Sequence, residues 1–169
     1  GAAFLQAYYL PENSPRPERY YTFEYGSAFF VALDSNLDLG PGSQQREWLA
    51  ARLAASQARW KIVFLHHPII TGTAPTPGFR TSLQPLFDSN GVDLVLQAHN
   101  HYYERTYPLE GDQRTDVAEE PDYSDPAGTV YVVTGGGGGV LRSGRPNAES
   151  VLLESTHHHV VVEIEAGKL

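Results

Sequence analysis

Three short apolar runs mark the chain, and each ends abruptly in an unusual cluster. Lys61–Leu65 (KIVFL) leads into His66-His67-Pro68, and Val92–Ala98 (VDLVLQA) into His99-Asn100-His101. Thr129–Val133 (TVYVV) leads into Thr134 and five consecutive glycines, Gly135 to Gly139. Continuous apolar runs bounded by turn residues suit strands buried on both faces of a layered α/β domain. A helix over about residues 80–89 separates the first two runs and makes a β-α-β unit. Upstream, Tyr21, Phe23 and Tyr25 alternate, Gly26 supplies a turn, and Phe29, Val31 and Leu33 alternate on the return, which is a hairpin pattern. Pro41-Gly42-Ser43 stops that strand, and Ser43 is placed to cap a helix to about residue 56 with Leu49 and Leu53 one turn apart. Residues 1–19 are expected to be turn-rich, since Pro11, Pro15 and Pro17 block regular structure. Glu110–Asp125 is expected to be an exposed loop, and His159–Glu165 (HVVVEIE) the last strand. There is no internal repeat, low-complexity linker or domain boundary, so the 169 residues form one domain's worth of chain.

In open α/β sheets, ligands bind beyond the carboxyl ends of the strands. All three clusters lie at such ends, which makes one shared sheet edge the expected functional site. Composition narrows the chemistry available there. With no cysteine in the sequence, any metal must be held by His, Asp, Glu, Asn or Tyr. The net charge of −8 disfavours a nucleic-acid partner held through phosphate contacts. No apolar run approaches the ~20 residues that span a bilayer, which leaves no membrane segment to assign. The first residues, GAAFLQAYYLPENS, show neither a basic region nor a long apolar core, and so no signal peptide.

Seven histidines fall into three groups: 66–67, 99 and 101, and 157–159. A lone histidine at a strand end is more often a hydrogen-bonded structural residue than a ligand. An H-x-H delivered by a strand to a turn differs, because two rings project from one short segment towards neighbouring positions of a metal pair. Imidazole suits Zn, Fe, Mn and Ni alike, so the ligand type does not choose among them. His157–His159 lead into an alternating segment and are taken as ordinary strand-end residues.

The surrounding residues carry a specific resemblance. His99-Asn100-His101-Tyr102-Tyr103-Glu104-Arg105 resembles the GHxHxYER signature of purple acid phosphatases, a branch of the calcineurin-like metallophosphoesterases. Trp60–Pro68 resembles that family's strand ending in H-x-P, and YYTFEYGSAFFVALDSN, QQREWLAARLAAS and VYVVTGGGGG fall in family order. The resemblance spans nearly the whole chain and implies a layered α/β sandwich of the metallophosphoesterase type, of which this chain is the C-terminal half. It implies that His66, His99 and His101 are metal ligands of a dinuclear site, His66 and His99 on one ion and His101 on the other. His67 fills the variable position of H-x-P and is assigned no metal. Tyr103, Glu104 and Arg105 are expected to orient the turn from beneath. The implied reaction is hydrolysis of phosphate monoesters, or alternatively diesters, by metal-bound hydroxide between two cations. The resemblance leans towards an exported bacterial protein; the sequence itself fixes no compartment.

The chain also departs from the pattern. Ala98 stands where the family usually has glycine before the first His of H-x-H. The family's early Asp, its GDxxY segment and its GNH segment do not occur, and no substrate-facing His is evident between Ile69 and Arg80. The expectation is therefore a partial domain that lacks the N-terminal half of the site, binds at most one metal ion alone, is inactive alone, and tends to self-associate through an exposed apolar face. The rival expectation is a non-catalytic binding or structural module. The glycine run lacks a P-loop ending and is expected to be a tight turn near the metal face. Asp34 ends a strand at the same edge, but one carboxylate cannot replace three absent ligands. The acidic loop lacks EF-hand order.

Overall fold

The computed structural model describes residues 2–116, 126–165 and 169. A short helix, α1 (Ala2–Ala7), replaces the turn-rich start expected there, and it ends before the three prolines, across which the chain runs irregularly. Asn13 pins this irregular segment: its Nδ2 donates to the Thr22 carbonyl at 2.7 Å and its Oδ1 accepts from the Thr22 N–H at 3.0 Å. β1 (Tyr21–Tyr25) and β2 (Ala28–Ala32) form the expected hairpin, with Gly26 at φ 58° in its turn. α2 (Gln44–Ala55) starts at its Ser43 cap, whose Oγ accepts from the Arg46 N–H. β3 (Trp60–Phe64), α3 (Phe79–Asn90) and β4 (Leu94–Gln97) make the β-α-β unit.

Beyond β4 the structure differs from expectation in two places. β5 (Tyr103–Thr106) begins within the Tyr-Glu-Arg sequence, where no strand was expected. β6 (Leu109–Glu110) and β7 (Gln113–Arg114) close a small hairpin at the start of the supposed loop, and residues 117–125 of that loop lie outside the described residues. β8 (Val130–Thr134) is as expected. The last strand of the sheet is β9 (Ser150–Glu154), not 159–165. Residues 159–164 have no ladder pairing among the described residues, because alternation makes a segment fit a sheet but does not supply a neighbour.

Seven strands form one mixed sheet in the order β1-β2-β3-β4-β8-β5-β9. β2, β3, β4 and β8 are mutually parallel, so their carboxyl ends share one edge. The sheet's two faces are unequal. Leu49 and Leu53 of α2 and Leu83 and Phe87 of α3 cover Val31, Val63, Val95 and Tyr131 on one side, all fully buried. Each such side chain contributes about 1.5–3 kcal/mol on burial. Neither α2 nor α3 covers the opposite face. There Phe23 stacks on Phe30 at 4.7 Å and stands edge-on to Phe64, and Ile164 of the tail packs beside Ala28, Trp60 and Ile62. The architecture is thus one mixed sheet with α2 and α3 on a single face, an α/β fold as the sequence implied.

Candidate metal centre

The edge is assembled by strand register. The Leu65 N–H donates to the Leu96 carbonyl and the Ala98 N–H to the His66 carbonyl, each at 3.0 Å, so the residues after β3 and β4 emerge side by side. The chain then turns twice in quick succession. Asn100 N–H donates to the Ala98 carbonyl at 2.7 Å and Tyr102 N–H to the Asn100 carbonyl at 2.9 Å, which puts His99 and His101 at the centres of two three-residue turns. His99 sits at φ 64°, in the left-handed region that costs a side-chain-bearing residue about 1–3 kcal/mol. The strain falls on the histidine itself, one residue after Ala98.

A hydrogen-bond lattice beneath the turn holds it there. Asn100 Nδ2 donates to the Thr73 carbonyl at 2.9 Å and to the Tyr102 hydroxyl at 3.0 Å. Buried Glu104 accepts from the Thr71 hydroxyl at 2.6 Å, the Gly72 N–H at 2.9 Å and the Ser150 hydroxyl at 2.5 Å. Buried Gln97 accepts from the Ile69 N–H at 2.7 Å and donates to the Ile70 carbonyl, clamping the chain just past Pro68. Sequence reasoning did not single out Gln97, Asn100 or Tyr102. The signal for Gln97 was a polar residue ending an otherwise apolar buried run. Of the three residues expected beneath the turn, Glu104 is there. Tyr103 instead meets His158 edge-on at 5.4 Å, and Arg105 is half-buried opposite Val132 and Leu152 on the neighbouring strands.

His66, His67 and His99 offer nitrogen atoms that all lie within 4.8 Å of one another. His66 Nε2 and His99 Nδ1 are 3.1 Å apart, with the two rings nearly perpendicular at 85°. Tetrahedral ligands at ~2.0–2.1 Å from zinc sit roughly 3.3 Å apart, so this pair already has the spacing of two ligands on one ion. The His66 pKa is lowered from its ordinary value, first by desolvation of the ring and then by repulsion from His67, His99 and His101. That favours the neutral imidazole that a metal needs. His101 takes a separate place: its Nδ1 lies 2.8 Å from the Val140 carbonyl oxygen, and its ring lies against Gly139. The sequence therefore named His66 and His99, which the fold brings together, placed His101 at the neighbouring position, and passed over His67.

The glycine run serves close approach. A Cβ on Gly135 would fall 2.2 Å from the Asn100 carbonyl oxygen, and one on Gly139 2.5 Å from the His101 ring. His157 and His158 contact Gly136 and Thr134 in the same loop region, outside the three-histidine cluster. The Asp34 carboxylate is held by Arg19 at 2.8 Å. The donors fit one ion well; no carboxylate joins the cluster among the described residues. Against it lies a shallow depression of about 310 Å³, lined by Phe64, His66, Leu96 and Thr134. A larger one, about 530 Å³, lies by Asp112 and Glu149 and contains none of the histidines.

Residues 5–103 match the sequence model of the family described as calcineurin-like phosphoesterase. An uncharacterised protein of Mycobacterium tuberculosis (strain H37Rv) is 34% identical over 165 residues, covering 80% of this chain and 31% of that protein. A protein named probable inactive purple acid phosphatase 1, from Arabidopsis thaliana, is 31% identical over 147 residues, covering 79% of this chain and 24% of its own length. A nucleotide pyrophosphatase/phosphodiesterase of Hordeum vulgare is 32% identical over 149 residues, covering 80% of this chain and 40% of its own. Among solved structures, a purple acid phosphatase from yellow lupin (Lupinus luteus) seeds superimposes with a TM-score of 0.85 at 26% identity, over 93% of this chain and 30% of that one. The chain thus spans less than half of each of these relatives.

Proposed function

Because the chain belongs to the calcineurin-like phosphoesterase family, with a purple acid phosphatase-like fold, we propose that it carries one side of a dinuclear phosphate-ester hydrolase site. His66 and His99 would share one ion and His101 would serve the other. The carboxylate and amide ligands would come from polypeptide outside residues 1–169, making this chain a partial domain. Two bound ions supply Lewis acidity and activation of water. The chain's own residues do the positioning: the register of β3 and β4 presents His66 beside His99, and Asn100, Tyr102 and Glu104 hold the turn that orients His99 and His101. The substrate class would be phosphate monoesters, with diesters the alternative. The observation that carries the reading is the 3.1 Å approach of His66 Nε2 to His99 Nδ1 at the shared strand edge.

Alone, the chain should take up at most one ion. Two divalent cations ~3.7 Å apart repel by roughly 20 kcal/mol at an effective dielectric of about 20, and neutral imidazoles offer nothing to offset it. The second reading, a non-catalytic module, draws support from relatives whose names include "probable inactive". The test is an aryl-phosphate assay with Zn, Mn, Ni or Fe supplied in turn, on residues 1–169 and on the polypeptide in its natural context. The expected result is no turnover from 1–169, with turnover in context that His99→Ala abolishes. Robust turnover from 1–169 would refute the incomplete site. A natural context without turnover and without GDxxY or GNH segments would favour the non-catalytic module.

A further inference from the structure

His67 has no assigned role, yet it completes the cluster. Its ring centroid lies 4.8 Å from that of His66 and 4.9 Å from that of His99, and all three residues offer nitrogens within 4.8 Å of one another. We propose that His67 is the third protein ligand of the ion held by His66 and His99, making a three-histidine site for one zinc-class divalent cation within this chain. The proposal rests on the reading that His66 and His99 share an ion, and it adds a ligand from the variable position of H-x-P.

A second observation supports it independently of the clustering. His67 Nδ1 lies 2.8 Å from Ser35 Oγ, and the same oxygen accepts the His67 backbone N–H at 3.0 Å. Ser35 is buried in the turn just past β2, which is parallel to β3 and in register with it, so the segments following the two strands leave the sheet side by side. Metal-ligating histidines almost always donate their other ring N–H to a fixed acceptor, which sets the tautomer and aims the lone pair. In the tautomer whose Nδ1–H donates to Ser35 Oγ, His67 presents the Nε2 lone pair to an ion. Three neutral imidazoles leave a fourth position open, an arrangement zinc accepts. His101 has the same kind of support, its Nδ1 lying 2.8 Å from the Val140 carbonyl oxygen, but it lies outside the three-histidine cluster with its ring against Gly139.

Cobalt(II) serves as the probe, because its visible absorption intensifies when coordination becomes tetrahedral. The chain contains no cysteine, so a thiolate introduced at one position reports on that position alone. In the 169-residue chain, His67→Cys should bind cobalt and show a near-ultraviolet thiolate-to-cobalt band. His67→Ala should weaken binding by at least ~100-fold, beyond the ~10–100-fold typical of losing an outer partner, and Ser35→Ala should fall within that latter range. His159→Ala, at an exposed histidine outside the cluster, should stay within about two-fold of the parent. Far-ultraviolet circular dichroism on each variant separates lost binding from lost folding. No thiolate band in a folded His67→Cys, with binding lost in His66→Ala and His99→Ala, would overturn the His67 assignment and leave the shared ion standing. Parent-like binding in His66→Ala, His67→Ala and His99→Ala would overturn both.

Discussion

Replacing Glu104 by alanine probes whether the histidine turn is held from below. The carboxylate is 1% exposed and accepts from the Thr71 hydroxyl, the Gly72 N–H and the Ser150 hydroxyl at 2.6, 2.9 and 2.5 Å. These partners belong to two segments far apart in sequence: the loop after Pro68 and the start of β9. Truncation leaves three donors without their acceptor, each costing about 1–3 kcal/mol if it stays dry. Water entering the space offsets part of that, so the net loss should be about 3–5 kcal/mol, in the range for removing one partner of a buried charged network. For a chain of this size, that lowers the melting temperature by roughly 6–20 °C. Urea unfolding gives the free energy and thermal melting the temperature shift. Glu104→Gln should cost less, about 1–2 kcal/mol, because Oε1 can still accept the Gly72 N–H while Nε2 donates to a hydroxyl oxygen. Cobalt affinity should fall with stability in Glu104→Ala, since the His99 turn loses its support. A loss below about 1 kcal/mol for Glu104→Ala would refute the claim that this carboxylate holds the site in place.

Within the glycine run, Gly135→Ala should destabilise by about 2–3 kcal/mol, because its Cβ meets the Asn100 backbone. Gly138→Ala, whose Cβ meets nothing within 4 Å, should be neutral or mildly stabilising; equal effects in urea unfolding would refute the close-approach argument. Gln97→Ala should cost about 2–4 kcal/mol by freeing the Ile69 and Ile70 backbone groups it satisfies, again read by urea unfolding. His66 has a folded-state pKa below its unfolded one, so its contribution to stability is fully present above about pH 6.5 and is lost as pH falls towards the folded value. The metal-free chain should therefore be less stable at pH 5 than at pH 7, and His66→Gln should reduce that difference; an unchanged difference would count against the shift. The face bearing Phe23, Phe30 and Phe64 should drive concentration-dependent self-association, measured by sedimentation, and Phe23→Lys should reduce it.

What was legible in the sequence was whatever local pattern decides. The buried parallel strands announced themselves as apolar runs, and Ser43 and Gly26 marked a helix start and a turn through their own chemistry. β5 was illegible because its buried residues are Glu104 and Thr106, which belong inside only once Thr71, Gly72, Ser150 and Tyr131 are there to meet them. The choice of β9 over residues 159–165 also lay outside local pattern. Both segments can extend, and pairing with β5 decides which one joins the sheet. At the site, motif spacing identified His66, His99 and His101. His67 was assigned no metal because its position in H-x-P is variable, and its place beside His66 and His99 depends on Ser35, 32 residues earlier in sequence.

If the edge takes up metal as proposed, its distribution of charge suits one ion rather than two. Four parallel strands end there, and the side chains they send to the cluster are imidazoles. The carboxylates nearby are already committed. Asp34, at the end of β2, is neutralised by Arg19, and Glu104 lies below the turn with its oxygens filled by hydroxyl and amide donors. Recruiting Asp34 would strip Arg19 of its partner, and recruiting Glu104 would dismantle the support that holds His99 at its strained φ. Neutral donors suffice for one dication in water-accessible surroundings, where solvent and counter-ions spread its charge. A second dication a few ångströms away would need negative charge between the two, and Asp34 and Glu104 already hold the edge in shape. On the proposed dinuclear reading, a bridging carboxylate would have to reach this edge from outside the described residues.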